Sequence, residues 1–297
     1  MTVNLSKLAG GAAALLVVLA MWTGAGRERA PPLAPAATIL VASTLVDYPQ
    51  PGEYLSGGNP VSPPVEKLEV PEFLIMKHQV GLIEYGRCVA AGACNTPDVY
   101  GIADNVPVTG VNWNDAEAYA RWYSQATGTA WRLPTALEAM VAAAERFTGE
   151  VFSAVAGDPG NPAVRWLRLY REEAAFKRPV DPRPRPHGSF GPNSLGVEDF
   201  AGNVWEWTST CYKRVTVEAA TGDTLESVEN CGVRVLEGKH RAYMSSFVRD
   251  GKSGGCAVGT PPENLGFRLV RSDGATVVPA ARRTFRRVVA FLGLASA

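Results

Sequence analysis

The sequence predicts an α+β fold with little regular secondary structure, in which short helices and strands are joined by many turns. Thirty glycines and 22 prolines in 297 residues argue against a helical bundle. Short β-branched runs and helix openings that carry their own caps account for the two element types. Hydrophobic residues make up 46% of the chain and include seven tryptophans, enough for a sizeable core. This length suits one large domain or two small ones, and no internal repeat is visible.

The elements follow in order. Residues 1–26 read as a signal peptide or N-terminal anchor. Lys7 gives a weakly basic start, and Leu8 to Trp22 is an apolar run of 15 residues. A full membrane span needs about 20. Thr23-Gly24-Ala25 offers a small-residue cleavage site, whereas Trp22 and Arg27 suit an anchor at the membrane. Both versions place the rest of the chain in a periplasmic or other extracytoplasmic compartment. Residues 27–37 are rich in Pro and Ala and read as a linker. Thr38 to Ser43 reads as the first strand, and Val70 to Met76 as a second that begins near Pro71. Leu82 to Ala91 reads as a helix stopped by Gly92. Asn114 with Glu117 forms a capping box for a helix that stops near Gly128. Thr135 with Glu138 forms another, and Asn161-Pro162 opens a third helix running to about Lys177. Arg178 to Pro192 is a Pro-rich loop. Residues 273–297 form a basic tail, in which Arg282, Arg283, Arg286 and Arg287 precede an apolar stretch. That tail suits a membrane surface or a frayed terminal helix.

Composition narrows the function. Basic and acidic residues balance at 29 each, so no bulk charge points to nucleic acid. Five cysteines agree with export. Cys88 and Cys94 bracket one short loop, Cys211 and Cys231 bracket a polar one (213–230), and both pairs read as disulfides. Cys256 is left over, either buried and inert or reactive. The histidines, His78, His187 and His240, are too scattered in sequence for a facial iron triad.

The densest signal is Ala201-Gly202-Asn203-Val204-Trp205-Glu206-Trp207-Thr208. Asp199 and Glu206 are hard oxygen ligands, and the turning backbone between them can add carbonyls, which suits calcium. The alternative is a core tryptophan pair with a solvated glutamate.

These residues also carry a resemblance. Pro107-Val108-Thr109-Gly110-Val111-Asn112-Trp113-Asn114-Asp115-Ala116, Arg132-Leu133-Pro134-Thr135, Asn193-Ser194-Leu195-Gly196 and Gly202 to Trp207 resemble ordered elements of the formylglycine-generating enzyme (sulfatase-modifying factor) family. Arg234-Val235-Leu236 and Gly266-Phe267-Arg268 are similar to its last two. The resemblance implies one irregular domain over residues 38–272, with a variant of the C-type-lectin fold. It also implies a structural calcium held by the Asp199 and Glu206 side chains with the Gly202 and Val204 carbonyls.

Departures from the family pattern bear on activity. Family oxidases bind copper through two cysteines placed between the Arg-Val-Leu and Gly-Phe-Arg elements, and they oxidise a substrate cysteine to formylglycine. Here that stretch, through His240, Ser245 and Ser246, contains no cysteine before Cys256. Soft Cu(I) prefers thiolates, so copper is not expected. Ala139 replaces the usual helix tryptophan, and Glu237 stands where the family has arginine.

Three functions follow as expectations. The first is an exported accessory or maturation protein for a periplasmic redox enzyme, binding a protein or peptide partner. Ser253-Gly254-Gly255-Cys256 and the helix after Asn161 resemble members that accompany copper nitrite reductases. The second is an oxidase with an unorthodox site at Cys256 and His240. The third is calcium-dependent ligand or glycan binding.

Overall fold

Proline and glycine cut the N-terminal half into strands of a few residues each. The computed structural model describes residues 33–61, 63–98, 105–147, 183–200, 202–238, 255–259, 265–272 and 278–279. The N-terminal segment, the helix after Asn161, His240 and its neighbours, and most of the basic tail lie outside them.

The first strand is β1 (Thr38–Val41), followed by β2 (Thr44–Pro49). The strand expected over Val70 to Met76 is divided. β5 (Val65–Val70) ends where that strand was expected to begin, and β6 (Phe73–Met76) supplies its second half. Pro71 separates them, because its missing N–H cannot join a ladder. β5 pairs with β2, whereas β6 joins a four-stranded sheet in the order β1, β6, β12 (Val270–Arg271), β7 (Trp131–Arg132). Ile75 and Val270, paired across β6 and β12, are fully buried in a core with Val41, Leu137, Met140 and Phe200.

Among the described residues, three α-helices pack around these strands. α1 (Leu82–Ala90) ends before Gly92, whose φ of 71° favours glycine. α2 (Trp113–Thr127) begins earlier than expected. Its cap is Asn112, whose side chain accepts the Asp115 N–H at 3.0 Å while Asp115 accepts the Asn112 N–H at 3.1 Å. Asn114 with Glu117 also satisfied the capping pattern. Asp115 is buried and further held by Asn95, whereas Asn114 is exposed, so burial selects the upstream pair. Tyr85 of α1 and Tyr119 and Tyr123 of α2 form a stacked run beside Phe267. α3 (Ala136–Ala143) opens on Thr135 and Glu138 as expected, and Arg132 clamps Glu138 with bonds of 2.7 and 2.6 Å. Seven of its eight residues are buried, which explains its run of alanines.

The largest departure is a long hairpin, β8 (Trp205–Val217) with β9 (Thr224–Gly238), across the region expected to be a polar loop. Its base is buried through Trp205, Trp207, Val235 and Leu236, whereas residues 218–232 are exposed. The outer half has polar residues on both faces and so lacks the alternation that marks a half-buried strand. β3 (Glu53–Ser56), paired with the short β4 (Asn59–Pro60), flanks β8 in parallel at Arg214 to Thr216, and β10 (Gly255–Ala257) flanks β9 at Val233 to Val235. β11 (Leu265–Gly266) runs parallel to the first residues of β8. From Ala34 on, the chain holds together as one unit.

Candidate functional site

The parallel register of β11 on β8 sets Leu265 opposite Trp205 and Gly266 opposite Glu206. A side chain at 266 would press on the Val108 carbonyl at 2.9 Å, so the close approach requires glycine. Two tryptophans seal the surroundings. Trp207 is fully buried and donates its Nε1 proton to the Val111 carbonyl at 3.0 Å, and Trp113 donates to the Thr208 carbonyl at 3.0 Å.

Arg268 is thereby carried to Glu206, and both are buried. Its Nε donates to Glu206 Oε2 at 2.6 Å and its Nη2 to Oε1 at 2.7 Å, a bidentate pair. The remaining N–H groups reach the carbonyls of Met76, Lys77 and Glu198. All five guanidinium donors are satisfied, which makes complete burial of this cation tolerable. Gln79 adds a third bond to Glu206, its Nε2 donating to Oε1 at 2.8 Å. The glutamate is therefore not solvated.

Asp199 and Asn203 do a different job. Asp199 has a φ of 56°, a left-handed conformation that Asp tolerates better than most residues. Its carboxylate accepts the N–H groups of Gly188 at 2.5 Å and Phe190 at 2.8 Å. Asn203 accepts the Arg185 N–H and donates to the Arg185 carbonyl. Together they pin the Pro-rich loop onto the turn before β8. Gly202 lets Phe190 lie against the backbone, since an added Cβ would meet its ring at 2.7 Å.

The same ordered elements can be set against known proteins. The model of the family "Sulfatase-modifying factor enzyme 1-like domain" matches residues 39–273. The chain belongs to this family. It is 31% identical over 185 residues to a formylglycine-generating enzyme of Streptomyces coelicolor, covering 60% of this chain and 56% of that protein. It is 31% identical over 181 residues to an "Inactive C-alpha-formylglycine-generating enzyme 2" of Mus musculus, covering 57% of this chain and 50% of that protein. The chain thus spans about half the length of these relatives. Among solved structures, PvdO from Pseudomonas aeruginosa aligns with a TM-score of 0.54 and 20% identity over 82% of this chain and 99% of its own, a likeness of fold.

For a sulfatase-modifying factor domain, calcium is the first ion to test against the residues. Asp199 and Glu206 lie in one buried region, bridged by Gln79, whose Nε2 also contacts the Asp199 carbonyl at 3.3 Å. Their carboxylates, however, are turned to different partners. Asp199 faces the 188–190 backbone, and Glu206 faces a guanidinium that already supplies the positive charge. Gln79 Nε2 lies between the two residues, while the Oε1 of the same amide is buried without a hydrogen-bond partner. As placed, these two carboxylates do not fit a shared calcium cage. Among the described residues, the one group of three possible metal ligands is Cys211, Glu229 and Cys231. Its two sulfurs are joined to each other.

Both expected disulfides are present, Cys88–Cys94 and Cys211–Cys231, with Cα separations of 5.3 and 4.5 Å. Cys256 lies on β10 as the register partner of Arg234, and His240 falls outside the described residues. Glu237 is buried opposite Glu206 in the β8–β9 register.

Sequence reasoning missed a histidine pair in this sulfatase-modifying factor domain. His78 and His187 lie with ring centroids 5.2 Å apart, and His78 Nδ1 is 3.2 Å from Glu198 Oε2. Lys77 Nζ holds the other Glu198 oxygen at 2.8 Å. Burial, then the charge of His78, holds the His187 imidazole below its ordinary pKa of 6.5. No local pattern links positions 78 and 187. The Pro-rich loop brings them together.

Proposed function

We propose that this domain is an accessory or maturation protein that recognises a protein or peptide partner outside the cytoplasm, and that it does not make formylglycine by the paired-cysteine copper route. The observation that carries the reading is the absence of any cysteine from residue 235 to residue 254. Family resemblance puts both catalytic thiolates there. Serine hydroxyls stay protonated at neutral pH and bind Cu(I) poorly, so Ser245 and Ser246 are no substitute. The similarity to a relative named as inactive supports the same reading. Export rests on the apolar N-terminal run, which also offers a membrane attachment.

The test is to incubate the protein with copper, oxygen and a peptide carrying Cys-x-Pro-x-Arg, and to follow the peptide by mass. The expected result is no aldehyde, and no copper retained after dialysis. Aldehyde that disappears in Cys256→Ala would overturn the reading and establish an oxidase built on Cys256.

A further inference from the structure

The two sulfurs of the Cys211–Cys231 disulfide have opposite electrostatic surroundings. Arg234 Nη1 lies 3.0 Å from Cys211 Sγ and donates to the Ser209 carbonyl at 2.6 Å. The guanidinium is also stacked over the Trp113 ring at 4.0 Å, so it is held in place. On the other side, Glu229 Oε1 stands 3.7 Å from Cys231 Sγ, and both residues are exposed. The ladder between β8 and β9 is irregular on both sides of Cys211. A cation beside a sulfur stabilises its thiolate, and the better leaving thiolate determines which way a disulfide opens. A carboxylate beside the other sulfur disfavours a thiolate there. The Cys88–Cys94 bond differs, since Cys88 is fully buried on α1.

We propose that Cys211–Cys231 is a thiol–disulfide exchange site for protein dithiols, with Cys231 the sulfur attacked and Cys211 the sulfur released. In the first step a substrate thiol loses its proton to water, and its sulfur bonds to Cys231 Sγ. The Cys211–Cys231 bond breaks, and its electron pair stays on Cys211 as a thiolate facing Arg234. In the second step the other substrate thiol gives its proton to Cys211, and its sulfur attacks the first substrate sulfur. A substrate disulfide closes, and Cys231 leaves with its electron pair and takes a proton from water. The substrate is oxidised by two electrons and the protein disulfide is reduced by two. This activity goes beyond the accessory reading and needs no residue from the stretch between Arg234 and Gly255.

The test uses the full oxidised chain and reduced glutathione, with acid quenching, alkylation and peptide mapping. The glutathione adduct is expected on Cys231, and Cys211–Cys231 should open roughly tenfold faster than Cys88–Cys94. Arg234→Met should slow opening about three- to tenfold and spread the adduct over both cysteines, and Arg234→Lys should restore most of the rate. A peptide with two thiols should emerge as its disulfide in amounts matching the opened protein bond. An adduct on Cys211, or equal opening of the two disulfides, would overturn the proposal. The wild-type adduct position decides even where the Met variant fails to fold. The aldehyde test reads a different product, so either proposal can fail without the other.

Discussion

Glu206 shows how little a residue's type says about its role until its neighbours are known. In the sequence it was a hard oxygen donor between two tryptophans, and in the fold it is one half of a buried ion pair. Arg268→Met would leave that carboxylate buried without a counter-charge, at a cost of about 3 to 5 kcal/mol in denaturant unfolding. The double variant Glu206→Met with Arg268→Met should recover only part of the loss, because the unpaired charge is gone but the carbonyls of Met76, Lys77 and Glu198 and the Gln79 amide lose a partner. Since Arg268 supplies the charge, melting curves in excess calcium and in chelator should coincide, and a clear rise with calcium would show a cage that Glu206 leaves Arg268 to form. Protonation gives a second test. His187 has a folded pKa below its ordinary value of 6.5, so the unfolded chain binds its proton first as the pH falls. Stability should therefore decline as the pH drops through 6.5 toward the lower folded value and then level off. His187→Gln should flatten that part of the profile. The tryptophans were legible in the sequence as core. The ion pair was not, because its partners stand 62 residues apart.

Short elements were legible where the chain caps itself. Thr135 with Glu138, and Gly92 after α1, fall where local chemistry placed them. The start of α2 was misplaced because two adjacent pairs satisfy one rule and tertiary burial chooses between them. Asn112→Ala should therefore lower stability by about 1 kcal/mol, whereas Asn114→Ala should change it little. Thermal denaturation of the two variants separates these outcomes. A strand whose two faces are both wet has no apolar period to read, so the outer half of the β8–β9 hairpin was hidden. Its two cysteines were the only trace of it, and they marked a closed segment without saying that its walls were strands.

At the scale of the molecule, family and order of elements could be read from six short motifs, and the match over residues 39–273 agrees with them. The proposal about catalysis rests on a gap in the sequence, the stretch without cysteine. What the motifs do for one another was not legible. The Trp-Glu-Trp and Gly-Phe-Arg elements are two sides of one contact, and Arg132-Leu133-Pro134-Thr135 is fastened to the same hairpin, since Ser209 donates to the Pro134 carbonyl at 2.8 Å and Thr210 caps the Ala136 N–H at 2.9 Å. The family-matching stretches of the sequence are thus mutual supports of a single core.

The place of β12 in its sheet has a consequence for the moment of folding. The strand lies between β6 and β7, both made long before it, so a chain emerging from the ribosome delivers an interior piece almost last. Until residue 271 is out, β6 and β7 have no common neighbour and Glu206 has no counter-ion. At about 5 to 20 residues per second, the 62 residues from Glu206 to Arg268 take roughly 3 to 12 s to appear. For that interval the first residues of β8 lack their β11 neighbour, and the four-stranded sheet closes only once β12 has been made.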